Sequence, residues 1–173
     1  MPSTRYQGRF LRLVEDEGWE YVERVNTSGV VVVVAVTDQR EVLLVEQFRR
    51  PVGTTVIEMP AGLAGDFAAV ADEPLEAAAH RELLEETGYR ARGMRRVTAG
   101  PVSAGMSTEC LTFFVADGIE RVGEGGGDDS EDITTYRVPI SEVVSFCQQA
   151  EARGALVDPK VFAGLFFVVG DRA

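Results

Sequence analysis

Residues 73–89 of the chain read EPLEAAAHRELLEETGY, and this stretch decides the fold. Its alanine, leucine and glutamate content favours a helix. We expect Asp72 to cap this helix, Pro74 to lie in its first turn and Gly88 to end it. The charges do not alternate as they do on an ordinary solvated helix, because acidic residues crowd together beside an arginine.

At about 100° per residue, the predicted helix has an apolar arc facing the core and a charged arc opposite to it. The apolar arc consists of Ala77, Ala79, Leu83 and Leu84. The charged arc consists of Arg81, Glu82, Glu85 and Glu86.

Spacings of three and four residues bring the three glutamates of the charged arc within side-chain reach of one another. Their charges repel, and clustered carboxylates resist ionising together. A divalent cation relieves both effects, and carboxylate oxygens are the ligands that Mg²⁺ or Mn²⁺ prefers. From spacing alone, the alternative is a solvated acidic face with one internal Arg–Glu pair.

The composition is that of one globular domain with a real core. The chain has 173 residues, of which 45% are hydrophobic. Its formal net charge of -11 argues against a nucleic-acid backbone or an anionic membrane as the partner. The alternative reading of this charge is solubility alone.

The cysteines and the apolar runs point away from zinc and from membranes. Cys110, Cys147 and the single histidine have no zinc-ligand spacing, and we expect both cysteines to be small core residues. The apolar run over residues 30–36 is too short to cross a bilayer. The first ten residues lack the apolar centre of a signal peptide, so we expect a cytoplasmic protein.

The rest of the chain predicts a mixed sheet with helices packed on it, an α/β sandwich. The segments beside EDEG predict a hairpin over residues 8–27, within an N-terminal extension over residues 1–28 that precedes a main domain over residues 29–173. The β-branched run GVVVVVAVT predicts a strand buried on both faces. Further strands are predicted at VLLVEQF, TTVIEMP, MRRVTAG, ECLTFFVA and ITTYRV.

Two more helices and one loop complete the predicted organisation. SEVVSFCQQAEAR predicts an amphipathic helix capped by Ser141, and DPKVFAGLFFVV predicts a final helix capped by Asp158. Residues 117–132 are rich in glycine and acids, which predicts a mobile surface loop. The GEGGG run inside it has no following Lys-Ser/Thr and is interpreted as a flexible linker, not a phosphate-binding loop.

The helix segment resembles the Nudix box, usually written GX5EX7REUXEEXGU, where U is bulky and apolar. Glu73 is followed by seven residues and then by RELLEETGY, which matches without a gap. At the front, the pattern asks for glycine where the chain has Phe67. Gly62 is the natural counterpart, so the loop over residues 63–72 holds about five extra residues.

The resemblance implies a Nudix-type α/β/α sandwich and a hydrolase that cuts a diphosphate joined to a second group, using Mg²⁺ or Mn²⁺ and water. It assigns Arg81 to pair with a neighbouring acid and orient it. It also implies that Glu73 holds the loop against the helix. The metal ligands implied by position are Glu82, Glu85, Glu86 and the carbonyl oxygen of Ala61.

Two carboxylates are candidates for the group that takes the proton from water. Phosphoryl transfer needs neutralised phosphate oxygens and a water in line with the leaving group. Two metals supply both and lower the pKa of that water, and a nearby carboxylate accepts the proton. The candidates are Glu86 and Glu131, which matches a loop glutamate of ADP-ribose-type members. The alternative for Glu131 is an ordinary solvated acid.

Several segments resemble the ADP-ribose pyrophosphatase branch of that family. VEQFRRPVG followed by EMPAGL is similar to the strand-turn-strand that leads into its box. Arg49 falls where the branch has an arginine that reaches the substrate. Arg50 is a second substrate-binding candidate, which points oppositely if both lie in a strand. The N-terminal hairpin resembles the small β domain through which the branch forms homodimers.

The segment GPVSAGMSTE resembles the loop after the box, which normally reads SPG. Here it reads Ser103-Ala104-Gly105, and the resemblance makes Ser103 and Gly105 substrate-binding candidates. Because the proline is missing, ADP-ribose, GDP-mannose and other nucleotide sugars all stay open. The alternatives are a hydrolase of dinucleoside polyphosphates or coenzyme A esters, and a regulatory domain that binds a nucleotide without cutting it.

Overall fold

The computed structural model describes residues 1–25, 27–65, 73–127 and 132–169. The strands in these ranges are β1 (Ser3–Gln7), β2 (Leu11–Asp16), β3 (Trp19–Arg24), β4 (Gly29–Ala35), β5 (Glu41–Arg49), β6 (Thr54–Glu58), β7 (Ala61–Ala64), β8 (Tyr89–Pro101), β9 (Cys110–Arg121), β10 (Thr134–Pro139) and β11 (Leu156–Val157). The helices are α1 (Leu75–Thr87), α2 (Val143–Ala152) and α3 (Lys160–Val169), with a 3₁₀ turn at Ile140–Glu142.

Strand β4 is an inner strand of a four-stranded sheet. It pairs with β9 in parallel and with β7 antiparallel, in a sheet of order β7-β4-β9-β8. Its valines alternate between two cores. Val32 and Val34 pack with α2 and α3, whereas Val31 and Val33 pack with α1. The prediction of a strand buried on both faces is therefore confirmed.

A second sheet, of order β10-β5-β6-β11, completes the sandwich. Strand β5 pairs antiparallel with both β6 and β10. Strand β11 has only two residues and pairs in parallel with β6, and no sequence pattern predicted it. With α1 on one side of the sheets and α2 and α3 on the other, the α/β/α sandwich with a mixed sheet is confirmed.

The N-terminal segment is a three-stranded antiparallel sheet, which is more than the predicted hairpin. Strands β2 and β3 form that hairpin, and Glu17 (φ 49) and Gly18 (φ 86) make its tight turn. Strand β1 adds to β2 and is exposed along its whole length. It escaped prediction because STRYQ is short and polar. The sheet contacts the loop before β9, where Val22 N–H donates to the Met106 carbonyl at 2.9 Å.

Some predicted local features differ from the structure. Cys147 is buried as expected, but Cys110 is exposed because it begins β9 at the sheet margin. Ser141 does not cap α2, because it lies in the preceding 3₁₀ turn. Asp158 does cap α3, since its Oδ1 accepts the Lys160 N–H at 2.8 Å. Asp72, the predicted cap of α1, lies outside the described residues.

None of the helices in the described ranges is both long and apolar enough to cross a membrane.

Candidate active site

Helix α1 turns two of its acidic residues, Glu82 and Glu86, toward the protein, whereas Glu76 and Glu85 are exposed. Glu86 is only 2% exposed and belongs to the buried stripe with Ala78, Ala79, Leu83 and Thr87. The assignment of Ala77 and Leu84 to the core is wrong, because both are exposed. The helix is rotated from the predicted orientation, since the chain after Pro60 packs against the acidic side and covers it.

The Ala61–Gly62 corner holds two of the predicted metal ligands. The Ala61 N–H donates to Glu86 Oε2 at 3.1 Å. A Cβ atom added to Gly62 would overlap the Glu82 carboxylate, so this corner accepts only glycine while Glu82 keeps its place. That contact supports the alignment of Gly62 with the first glycine of the box.

Arg81 is the centre of the acidic cluster. Its Nε and Nη2 donate to the two carboxylate oxygens of Glu73, both at 3.0 Å. Its Nη1 donates to Glu82 at 2.8 Å and to Glu85 at 3.0 Å. Nη2 also donates to the Leu63 carbonyl at 2.9 Å. The alternative of a solvated face with one Arg–Glu pair does not describe this arrangement.

The ionisation of the cluster follows from these contacts. The hydrogen bonds from Arg81 lower the pKa of Glu73 below its ordinary value, although burial opposes the shift. The pKa of Arg81 is raised in turn, mainly by Glu73. Both groups are therefore fully charged at neutral pH, and their pair anchors the start of α1.

The donor set suits a hard divalent cation. Glu82 and Glu86 supply carboxylate oxygens beside the Ala61–Gly62 backbone, and oxygen is the donor that Mg²⁺ and Mn²⁺ prefer. Among the described residues, no three acidic, histidine or cysteine side chains converge as a metal-ligand group. The Arg81 guanidinium holds the carboxylates of Glu82 and Glu85.

The glycine-rich run packs against the C-terminal end of α1. The N–H groups of Gly126 and Gly127 donate to the carbonyls of Glu86 and Glu85, at 2.9 and 3.0 Å. The prediction of a flexible linker is therefore wrong for residues 123–127. Glu131, the predicted proton acceptor, lies outside the described residues.

Arg49 and Arg50 line one cleft of about 670 Å³ between β5, β6 and β10. Arg49 Nε donates to Glu58 Oε2 at 2.6 Å. The two arginines were expected to point oppositely only if both lay in a strand, and that condition is not met, because β5 ends at Arg49 and Arg50 belongs to the turn. Glu58 precedes Ala61 by three residues, so their Cα atoms lie within about 11 Å of each other, and the Arg49–Glu58 pair lies near the Ala61–Gly62 corner.

The floor of this cleft contains a buried carboxylate that the sequence analysis did not single out. Glu46 accepts two hydrogen bonds from Arg153, both at 2.6 Å. It also accepts hydrogen bonds from the hydroxyls of Thr55 at 2.7 Å and Tyr136 at 2.9 Å. These contacts, with Arg153 as the largest cause, lower the pKa of Glu46 from 4.5 to about 2. The sequence did contain a signal for this residue, because Glu46 is an acid inside the apolar run VLLVEQF. A charge buried in such a strand needs a partner, so a salt bridge could have been predicted.

We expect Glu46→Gln to destabilise the protein at pH 7 by about 2 kcal/mol, a value reduced for the half-exposed Arg153. Because the folded pKa of about 2 lies below the ordinary 4.5, the stabilisation is complete above that ordinary value. It is lost as the pH falls toward the folded pKa. Urea unfolding should therefore show a gap between wild type and variant that narrows on acidification. An exposed control, Glu120→Gln, should show no such gap, and a gap independent of pH would contradict the prediction.

Ser103 and Gly105 lie apart from the arginine cleft. Gly105 lines a separate hollow of about 310 Å³ with Trp19 and Tyr21 of the N-terminal sheet. The Ser103 carbonyl accepts the N–H groups of Met106 and Ser107, both at 3.0 Å, and so shapes the loop. Among the described residues, the two cavities share no lining residue, and Ser103 lines neither of them.

Comparison with known proteins decides the family. A family model described as the NUDIX domain matches residues 26–163. The chain belongs to the NUDIX family. The match begins after the N-terminal sheet and includes α1, the arginine cleft and the glycine-rich run.

Relatives within the NUDIX family carry two kinds of name. An ADP-ribose pyrophosphatase of Bacillus subtilis (strain 168) is 34% identical over 134 residues, which are 77% of this chain and 70% of that protein. A GDP-mannose pyrophosphatase of Cronobacter sakazakii is 34% identical over 137 residues, 74% of this chain and 68% of that protein. A solved structure of an ADP compounds hydrolase has a TM-score of 0.64 and covers 84% of this chain and 80% of its own, and at 18% identity it supports the fold alone.

Proposed function

We propose that this NUDIX protein hydrolyses the pyrophosphate bond of ADP-ribose or a related nucleoside diphosphate sugar, giving a nucleoside monophosphate and a sugar phosphate. The observation that carries the proposal is the buried acidic side of α1, where Glu82 and Glu86 pack against Ala61 and Gly62. The names of the pyrophosphatase relatives support the same reaction, and they leave ADP-ribose and GDP-mannose as rivals.

Glu82, Glu85, Glu86 and the carbonyl oxygen of Ala61 would hold the divalent cation, Mg²⁺ or Mn²⁺. When bound, such a cation neutralises phosphate charge and lowers the pKa of the attacking water. Glu86 or Glu131 accepts the proton from that water.

The arginines of the site have two roles in this proposal. Arg81 keeps Glu82 and Glu85 in place through its hydrogen bonds, so that they are oriented before substrate arrives. Arg49 and Arg50 bind the substrate phosphates from the adjacent cleft, which is wide enough for a nucleotide sugar. Ser103 and Gly105 contact the substrate only if a second subunit completes the site.

A homodimer is part of the proposal. The N-terminal sheet exposes large apolar side chains, with Tyr6 68%, Phe10 61% and Trp19 64% exposed. Tyr6 and Phe10 border an apolar groove of about 390 Å³. Exposed apolar patches of this kind mark interaction surfaces. The mass in solution, measured by light scattering, checks the proposal, and a monomer of 18.8 kDa at all concentrations would contradict it.

We expect the purified protein to release AMP from ADP-ribose, or GMP from GDP-mannose, in the presence of Mg²⁺ or Mn²⁺. The measurement is a substrate panel that also includes a dinucleoside polyphosphate and coenzyme A, with products separated by anion exchange. Chelation with EDTA should abolish turnover, and added Mg²⁺ should restore it, because the acidic cluster is the proposed cation site. If only the polyphosphate or coenzyme A is cut, the substrate class is wrong. If no compound is cut but one stabilises the protein against heat, the protein is a binding domain.

A further inference from the structure

The last turn of α1 is held more tightly than the end of a helix requires. Gly88 adopts the left-handed conformation at φ 73, and its N–H donates to the Leu84 carbonyl at 2.9 Å. This αL ending is sufficient to stop a helix. The carbonyls of the last turn commonly face water. Here those of Glu85 and Glu86 are bonded by other parts of the chain.

Three N–H or O–H donors converge on these two carbonyls. Gly126 N–H and Thr135 Oγ1 both donate to the Glu86 carbonyl, each at 2.9 Å. Gly127 N–H donates to the Glu85 carbonyl at 3.0 Å. A carbonyl oxygen has two lone pairs, so the Glu86 carbonyl is fully used. Two of the three residues whose carboxylates are proposed to bind the cation, Glu85 and Glu86, are thereby fixed through their backbones.

Only glycine allows this approach of two chain segments. Gly125, Gly126 and Gly127 all have positive φ, at 73, 110 and 84°. A Cβ on Gly125 would overlap the backbone of Thr87 and lie 2.7 Å from the Glu86 carbonyl oxygen. The contact is between backbones, which cannot swing away as a long side chain does. Any side chain at position 125 must therefore displace the end of α1.

We propose that Gly125, Gly126, Gly127 and Thr135 form a glycine clasp that positions the carboxylates of Glu85 and Glu86. The clasp residues are positioning residues, because they act through the backbone of α1 and not on the substrate. This inference rests on the proposed function, in which those carboxylates hold the cation. It explains why an acidic loop carries a GGG run at this place in the chain.

The test compares Thr135→Val, which keeps the side-chain shape but removes the hydroxyl, with Thr135→Ser, which keeps the hydroxyl. Mn²⁺ affinity is measured without substrate by electron paramagnetic resonance of free Mn²⁺. The kcat and KM are measured on the substrate that wild type cuts, well below the melting temperature. We expect Thr135→Val to lower both Mn²⁺ affinity and kcat about tenfold, as loss of a supporting hydrogen bond does around metal ligands. KM should not change, and Thr135→Ser should behave as wild type.

A second pair of variants tests the glycine contact. Gly125→Ala should weaken Mn²⁺ binding more than Thr135→Val does. Gly123→Ala is the matched control, because its added Cβ would meet only Gly88 Cα, at 3.9 Å, and its φ lies outside the left-handed region. If Gly125→Ala does not fold, the comparison of Thr135→Val with Thr135→Ser still tests the inference. A merely structural clasp would lower the melting temperature and leave Mn²⁺ affinity unchanged, which overturns the inference.

The outcomes separate the inference from the proposed function. If wild type cuts no nucleoside diphosphate sugar but binds Mn²⁺, the proposed function fails, and the Mn²⁺ titrations still decide on the clasp. Wild-type protein that binds no Mn²⁺ overturns both. Normal turnover by wild type together with normal kcat and Mn²⁺ affinity in Thr135→Val overturns the clasp alone.

Discussion

Replacing Glu86 with glutamine is expected to lower kcat by about a thousandfold, since a proton acceptor contributes about 10²–10⁴-fold and this residue is also a proposed cation ligand. Glutamine has the same shape, so its amide oxygen still accepts the Ala61 N–H that Glu86 accepts at 3.1 Å. The substitution removes the negative charge and one hard oxygen from a side chain that is 2% exposed. The melting temperature should change by less than about 5 °C, because packing is retained.

The matched control is Glu76→Gln, the same substitution at an exposed position in the first turn of α1. It should keep wild-type kcat. Glu131→Gln, measured in parallel over a range of pH, separates the two proton acceptors, because the variant lacking the acceptor loses the acidic limb of the kcat profile. If Glu86→Gln retains a kcat within about tenfold of wild type, neither proposed role of Glu86 holds.

Replacing Gly62 with alanine is expected to reduce activity by about a hundredfold while the protein stays folded, the upper range for losing the support of a metal ligand. The added Cβ would occupy the space of the Glu82 carboxylate. That carboxylate is the far end of a flexible side chain and can move aside, so the fold tolerates the change. If Glu82 moves, it loses its hydrogen bond from Arg81, which is 2.8 Å long. It also loses its proposed position as a ligand of the cation.

Gly100→Ala is the control for the glycine prediction, because nothing lies within 4 Å of a Cβ added there. Both variants are compared by kcat, by Mn²⁺ titration and by melting temperature. A Gly62→Ala protein with normal kcat would mean that the observed position of Glu82 is not needed for the reaction. A protein that loses activity and stability together would point to a backbone shift instead.

Features that depend on residues close together in the sequence were predictable. The β-branched run of β4 and the stop at Gly88 follow from local preference and were found correctly. The box gave the acids of α1 and Arg81 by their spacing. The orientation of α1 was not predictable in the same way, because alanine and leucine at positions 77 and 84 look apolar wherever they face. The packing of the 60–64 segment decided which side is covered.

Contacts between distant parts of the chain were out of reach. Thr135 and Glu86 are 49 residues apart, and Arg153 and Glu46 are 107 residues apart. Each contact depends on which strands lie side by side in the fold, and the local sequence does not determine that arrangement. The glycine run illustrates the same limit, since a string of glycines suits both a linker and a close backbone contact. Only the approach of α1 distinguishes the two.

Arg81 also bonds the two described ends of the segment that precedes α1. One nitrogen of its guanidinium, Nη2, bonds both the Leu63 carbonyl and the Glu73 carboxylate, at 2.9 and 3.0 Å. Both ends of the intervening segment are thus hydrogen-bonded to one guanidinium group. Doubling the length of such a closed segment costs only about 0.6 kcal/mol. We therefore expect insertions and deletions between these ends to leave the proposed cation-binding acids in place.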